Sequence, residues 1–378
     1  MKHLTNILLF TLFFISSGVI IIFNRNSVEH EPVVYQAPVP IVQVKAEGNK
    51  EEKTSDIIFV AAGDIMLSRG VGKRILASGY EFPFKNVAEI MKSADLTFGN
   101  LECPISSSGT ADKEKEVTFR AETEVIKSLK SAGIDVVSLA NNHAMDYGSV
   151  ALLETLDILS HNGIRYAGAG SNSINARRSA NFNINGVNVA FLAYTYKFHK
   201  VVEAQENQPG VAISRSHDIL IDLQKAKENS DIVIVSFHWG WEYSDHPDYM
   251  TRHLAHMTVE SGADLVIGHH PHVIQGVELY KNSIICYSMG NFVFDQRGNR
   301  VRRGLMLRCK LHKEGVKEAE FIPVIIDPAE YRPAIAFGAE AESILHELIK
   351  LSGYLGTDLL LDNNKARILR KEAVLVGT

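Results

Sequence analysis

From residue 56 onward the chain alternates between short runs dominated by Val, Ile and Phe and longer stretches in which apolar residues recur at helical spacing. IIFVAAG, DLTFGN, VVSLA, IVIVSF and DLVIG predict strands, whereas NVAEIMKSA, TEVIKSLKSAG and VALLETLDILSHNG predict helices. Gly133, Gly163 and Gly262 each stand between a helical stretch and a strand, where a left-handed helix stop belongs. The repeated α-then-β order predicts a layered α/β domain with mostly parallel strands. NFNINGVNVAFLAYTY departs from it, because Asn185-Gly186 between two alternating runs is a hairpin signal. SIICYSMGNFVFD and GLMLRCKLHKEGVKEAEFIPVIID also read as antiparallel strands, the latter turning at Glu314-Gly315. A two-sheet sandwich with flanking helices accommodates both halves. A last amphipathic helix is predicted over residues 338–353, carrying Ile344, Leu345, Leu348 and Ile349, and residues 358–378 read as a tail.

Residues 7–23, ILLFTLFFISSGVIIIF, form an uncharged run of about 17 residues, ~26 Å as a helix, at the lower limit for a membrane span. No small-x-small cleavage pattern follows it and no cysteine follows it for lipid attachment. Residues 1–23 are therefore expected to be an uncleaved signal anchor, with a cleaved signal peptide as the alternative. Either places the body outside the cytoplasmic membrane, single-pass in the first case. Residues 24–55 carry Pro32, Pro38 and Pro40 and then KAEGNKEEKTSD, a composition expected to be an extended linker. The domain proper is expected over 56–357.

Composition narrows the classes. Apolar residues at 46% and charged residues at 22% are the balance of an ordinary globular protein. The net charge of −5 comes without a basic stripe, so nucleic acid is not an expected partner. Cys103, Cys286 and Cys309 lie far apart, which excludes a Cys-type zinc site and a disulfide-dense scaffold. Cys286 and Cys309 fall in neighbouring strand-like stretches, so a pairing stays open beside the reading as buried thiols.

The chemistry gathers at strand ends. Five predicted strands run into residues that ligate divalent cations: Asp64, Glu102, the Asn141-Asn142-His143 run, His238, and the His269-His270-Pro271-His272 run. In a mostly parallel sheet the carboxyl ends share one edge, where open α/β sheets bind ligands. Mixed imidazole, amide and carboxylate donors suit Mn, Zn or Fe and do not tell them apart. Asp64 also fits a helix N-cap, Glu102 a loop carboxylate, and His143 a structural histidine beside Asp146. His238 stands among Trp239, Trp241 and Tyr243, which read either as an aromatic core cluster or as walls of a substrate groove. His270 and His272, two apart in a turn, are the strongest single signal.

Taken in order, GDIMLSRG, GNLECPIS, SLANNHAMDYG, FHWGWEY, IGHHPHVIQGVE and YSMGNFVFDQ resemble the CapA family of poly-γ-glutamate capsule synthesis proteins, itself similar to calcineurin-like metallophosphoesterases. The resemblance covers about residues 56–356. It implies a four-layered α/β/β/α sandwich of the metallo-dependent phosphatase type with a dinuclear metal centre at one edge. Mapped residue by residue, one metal would take Glu102, Asn142, His238 and His270, and the other Asp64, Glu102 and His272. His143 would face substrate. The family's Asp-x-His becomes Asp64-x-Met66 here, and thioether sulfur is a poor ligand for hard cations. The second site is thus expected to be short of ligands, and the cofactor is one or two divalent ions.

Two functions follow from the resemblance. One is a metal-dependent hydrolase or transferase acting on an anionic cell-surface polymer, poly-γ-glutamate or similar, or on a phosphoester. His143 would then protonate the leaving group or stabilise charge beside Asp146, while Arg120, Trp239, Glu242 and Tyr243 would contact substrate. Arg120 equally fits a surface salt bridge. The other is a non-catalytic accessory protein of polymer synthesis or export, working with membrane synthase or export subunits. No phosphate-binding Gly-x-x-x-x-Gly-Lys-Ser/Thr loop supports a synthetase.

Overall fold

A computed structural model describes residues 56–369, and within them the expected alternation of strands and helices is built. The first half contains β1 (Ile57–Ile65), α1 (Arg69–Ser78), α2 (Ala88–Lys92), β2 (Leu96–Leu101), α3 (Ile126–Ser131), β3 (Val136–Ser138), α4 (Gly148–His161), β4 (Arg165–Ala167), β5 (Ala169–Gly170), α5 (Ser173–Ala176), β6 (Ala180–Ile184) and β7 (Val187–Thr195). There follow β8 (Gly210–Val211), α6 (Ser216–Asn229), β9 (Ile232–His238), α7 (Tyr249–Glu260), β10 (Leu265–His269), β11 (Val277–Tyr280), β12 (Ser283–Cys286) and β13 (Asn291–Val293). The last elements are β14 (Arg303–His312), β15 (Gly315–Ile326), β16 (Pro333–Ile335), α8 (Gly338–Gly353), β17 (Leu359–Asp362) and β18 (Lys365–Ile368).

Two large sheets stack face to face. The first runs β17-β18-β15-β14-β1-β2-β3-β4, and the second β11-β12-β10-β9-β7-β6. β1 to β4 are parallel, as are β7, β9, β10 and β12, so their carboxyl ends share an edge in each sheet. Alternation decides which side chains fill the layer between the sheets. Phe59 and Ala61 of β1, Phe98 of β2, Phe191 of β7, Ile234 of β9 and Ile267 of β10 meet there. The opposite faces carry helices. Val60 and Ala62 pack with Val71, Leu129 and Leu152 of α1, α3 and α4, while Val235 and Phe237 pack with Leu223 of α6 and Ala255 of α7. The result is the four-layered α/β/β/α sandwich that the resemblance implies. α8 inserts Ile344, Leu345 and Leu348 into the inter-sheet core.

The Asn185-Gly186 hairpin forms between β6 and β7, with φ of 52° and 77° at its two turn residues. Gly133, Gly163 and Gly262 take positive φ after their helices. Two expectations are corrected. SIICYSMGNFVFD is not wholly antiparallel: β12 pairs antiparallel with β11 but parallel with β10, and β13 runs parallel to β1. Residues 359–368, read as tail, form a hairpin whose β18 pairs with β15. Lys365 and Arg367 of that hairpin hydrogen-bond Glu320, a polar pattern that looked like solvated chain because its partner lies 45 residues or more away. Cys103, Cys286 and Cys309 are buried thiols, so the Cys286–Cys309 pairing is not made. The segments 1–23 and 24–55, and residues 370–378, lie outside the described residues. Among the described residues no helix is long and apolar enough to cross a membrane.

Candidate metal centre

The alternation that builds the core also delivers the site. On β2 the inner face reads Phe98, Asn100 and then, one step past the strand, Glu102. On β9 it reads Ile234, Ser236, His238; on β10, Leu265, Ile267, His269. β1 would point Asp64 to the helix side, but its pairing with β2 slips: Ala61 faces Phe98 and Asp64 faces Asn100, three residues against two. This bulge turns Asp64 to the inner face. It is wedged by backbone, because a Cβ on Gly63 would lie 2.0 Å from the Gly290 carbonyl oxygen, and the Asp64 amide donates to that same oxygen at 3.1 Å.

Asp64, Glu102 and His238 come together, each offering a ligand atom within 4.8 Å of the others, and all are buried. Asn100 donates to Asp64 Oδ1 at 2.9 Å and to Glu102 Oε2 at 3.3 Å. His238 Nε2 pairs with Asn142 Oδ1 at 2.9 Å, and His269 Nδ1 with Asp64 Oδ1 at 3.0 Å. His272 Nδ1 pairs with Asn291 Oδ1 at 2.9 Å and approaches Asp64 Oδ2 at 3.3 Å, while its Nε2 lies 3.6 Å from Glu102 Oε1. Glu242, His270 and His272 form a second group of three. All six residues read from the sequence as metal ligands are therefore neighbours. Asn100, His269 and Asn291 belong with them and were not singled out as site residues. Period-two counting back from Glu102 and on from Ile267 was the signal for the first two; Asn291 has no local signal.

The donor set fits a divalent cation. Among the described residues seven buried side-chain polar atoms have no hydrogen-bond partner, and four are here: Asp64 Oδ2, Glu102 Oε1, His269 Nε2 and His270 Nδ1. An orphaned buried group costs about 1–3 kcal/mol, too much to retain fourfold in one cluster without a shared ligand. The protonation pattern agrees. Burial raises the Asp64 carboxyl, but hydrogen bonds and charge from His269 and His272 outweigh it and hold the group well below the carboxylate range. Burial, then the neighbouring Asp64 charge, pushes Glu102 well above it. Burial would lower His272, yet Glu102 and Asp64 bring it up to about 9, whereas burial and then the His272 charge press His270 down to about 3. The carboxylate charge that draws a proton to His272 is the charge that a divalent ion would meet.

His143 stands beside this cluster. Its Nδ1 pairs with Asp146 Oδ2 at 2.7 Å, and the buried Asp146 also accepts from Lys115 at 2.7 Å and from the Phe119 amide at 2.7 Å. The Phe119 ring covers His143 at 4.1 Å between centroids. Burial lowers the His143 pKa, partly offset by Asp146. The imidazole thus rests neutral with Nδ1–H on Asp146 and Nε2 as the accepting nitrogen.

The substrate contacts read from the sequence divide. Glu242 and Tyr243 lie at the site, the Tyr243 ring 6.3 Å from that of His272. Trp239 does not. It follows His238 by one residue, so it faces the opposite layer, fully buried, stacked on Phe237 at 4.6 Å and donating to the Tyr287 carbonyl at 2.9 Å. Arg120 is likewise engaged elsewhere, its guanidinium 4.3 Å over the Tyr147 ring and donating to the Ser108 carbonyl at 3.2 Å. A cavity of about 520 Å³ lined by Tyr243, Gln296, Arg297 and Arg300 opens on the far side of the Tyr243 ring, which lies 6.3 Å from that of His272.

Residues 58–296 match the family described as bacterial capsule synthesis protein PGA_cap. The chain belongs to this PGA_cap family. The match spans every residue of the cluster just described. This PGA_cap chain is 34% identical over 314 residues to the PGA biosynthesis protein CapA of Bacillus subtilis, covering 82% of this chain and 83% of that one. It is 34% identical over 292 residues to the capsule biosynthesis protein CapA of Bacillus anthracis, covering 75% and 71%. A Mycobacterium tuberculosis relative named as a probable polyglutamine synthesis accessory protein is 29% identical over 254 residues, covering 63% and 66%.

Proposed function

We propose that this PGA_cap chain is a metal-dependent hydrolase or transferase acting outside the cytoplasmic membrane on an anionic cell-surface polymer, poly-γ-glutamate or a similar chain, or on a phosphoester. The observation that carries the reading is the convergence of Asp64, Glu102 and His238 from both sheets, with orphaned donor atoms on Asp64 and Glu102. The names of the two Bacillus relatives support the polymer. The apolar run over 7–23 supports a membrane anchor, and 24–55 a spacer.

One or two divalent cations, held by Asp64, Glu102, Asn142, His238, His270 and His272, would supply Lewis acidity toward a phosphoryl or carbonyl oxygen and make water a stronger acid. Asn100 fixes the two carboxylates, and Asn291 orients His272. His143 offers Nε2 to the proton of an attacking water and returns it to the leaving group. Asp146 holds its tautomer, and Lys115 balances the charge of Asp146. Arg297 and Arg300, which line the cavity beside Tyr243, would contact an anionic chain, Arg300 in exchange for its ion pair with Asp245.

The accessory reading is favoured by Met66 and by the name of the mycobacterial relative. Elemental analysis of full-length chain purified without chelator separates them, beside a His270→Ala, His272→Ala double variant. One or two equivalents in the parent, reduced in the double variant, together with cleavage of phosphoesters or γ-glutamyl polymer, is the expected result. Parent protein that takes up no Zn, Mn or Fe would sink the mechanism and leave the accessory role.

A further inference from the structure

The sequence comparison leaves one cation site short at Met66, and the structure shows that Met66 does not serve it. Its sulfur is buried in the core on the helix side and accepts from the Ser68 amide at 3.2 Å and the Ser68 hydroxyl at 3.0 Å. Another residue reaches the same edge from the opposite sheet. Glu242 is exposed, in the turn after β9, and its carboxylate lies with nitrogens of His270 and His272 in a group whose ligand atoms are all within 4.8 Å of one another. The two turns are tied together, because the Tyr243 amide donates to the Pro271 carbonyl at 2.8 Å. His270 is 5% exposed, and its Nδ1 has no hydrogen-bond partner.

We infer that Glu242, His270 and His272 form a second divalent-cation site, a grouping that departs from the family mapping: His270 and His272 share one ion, Glu242 makes up for the ligand lost at Met66, and Asp64 goes to the other ion with Glu102 and His238. Glu102, whose Oε1 lies 3.6 Å from His272 Nε2, stands between this site and the buried Asp64–Glu102–His238 site. The two sites differ in access. The first is walled in by fully buried side chains, whereas the second has an exposed carboxylate as one ligand. The outer ion exchanges faster and binds more weakly than the inner one. Glu242 is thus a metal ligand rather than the substrate contact expected from its place in the motif after His238. The inference rests on the metal reading above, fixes the count at two ions and adds Glu242 to the ligands.

The test uses full-length protein stripped of metal, titrated with Mn²⁺ while free Mn²⁺ is followed by electron paramagnetic resonance. Parent, Glu242→Gln and Asp64→Asn are compared, with apo-state melting as a folding control. The parent is expected to bind two ions of unequal affinity. Glu242→Gln should melt like the parent, keep the tight ion and lose or weaken the other by at least about tenfold, since even groups that only hydrogen-bond a metal ligand are worth ~10–100-fold. Asp64→Asn should lose the tight ion. A Glu242→Gln protein with two ions at unchanged affinities, or a parent with a single ion indifferent to Glu242, would overturn this inference while leaving the metal reading intact. A parent that binds no Mn²⁺ would overturn both.

Discussion

His238 and Trp239 are adjacent in sequence and belong to opposite sides of a sheet. Both were legible as features of one motif, FHWGWEY, but only position parity separates them, and that requires knowing which face of β9 is shared with the other sheet. Trp239→Ala is accordingly expected to cost about 3–5 kcal/mol of stability through lost packing while leaving metal content unchanged in the protein that remains folded. Chemical denaturation beside elemental analysis would check it, and loss of metal at full stability would contradict the assignment of Trp239 to the core. Arg120 carried too little local information in the same way, since its engagement with Tyr147 depends on a chain reversal between them. His269 was visible as one of three histidines in five residues. The family resemblance points to its neighbours instead, whereas alternation from Ile267 turns His269 inward.

At the level of elements, the strands and their carboxyl-end residues could be read from apolar runs. The bulge in β1 could not. Without it Asp64 would stand among the residues that pack on α1, and its inward turn depends on Gly63 meeting Gly290, a contact made by a segment over 200 positions further along. Gly63→Ala is therefore expected to be out of proportion to its size. A methyl group at 2.0 Å from a carbonyl oxygen forces the backbones apart. We expect a destabilisation of about 1–3 kcal/mol, in the range of overpacked sites, together with weakened binding at the Asp64 site. Mn²⁺ titration of the purified variant would measure the second effect; unaltered affinity would mean that the close approach does not aim Asp64.

For the whole molecule, the α/β layering was legible from alternation, and the resemblance supplied the number of layers. The closing hairpin was missed because short polar strands make sense only against their partner. Glu320 is that partner, buried and facing Lys365 and Arg367. Burial would raise its pKa, but these two cations prevail and lower it. A depressed folded-state pKa means that the contribution is fully present above the ordinary glutamate value of about 4.3 and is lost as pH falls through the lower folded value. Glu320→Gln is expected to lower the melting temperature at pH 7, with the gap to the parent closing as pH drops below about 4. A gap that persists at low pH would assign the effect to packing instead.

The path of the chain through the two sheets has a consequence for how the molecule is made. All six proposed metal ligands of the family mapping, and Glu242 with them, have been translated once His272 has emerged. At that point β1, which carries Asp64, has β2 on one side and nothing on the other, because its second neighbour β14 and the β13 residue that orients His272 are still to come. A nascent or truncated chain ending before β14 would hold every ligating side chain and no rigid place to set them. On the proposed metal reading, loading would thereby be tied to completion of the sandwich, and a half-made protein would have little means of sequestering metal.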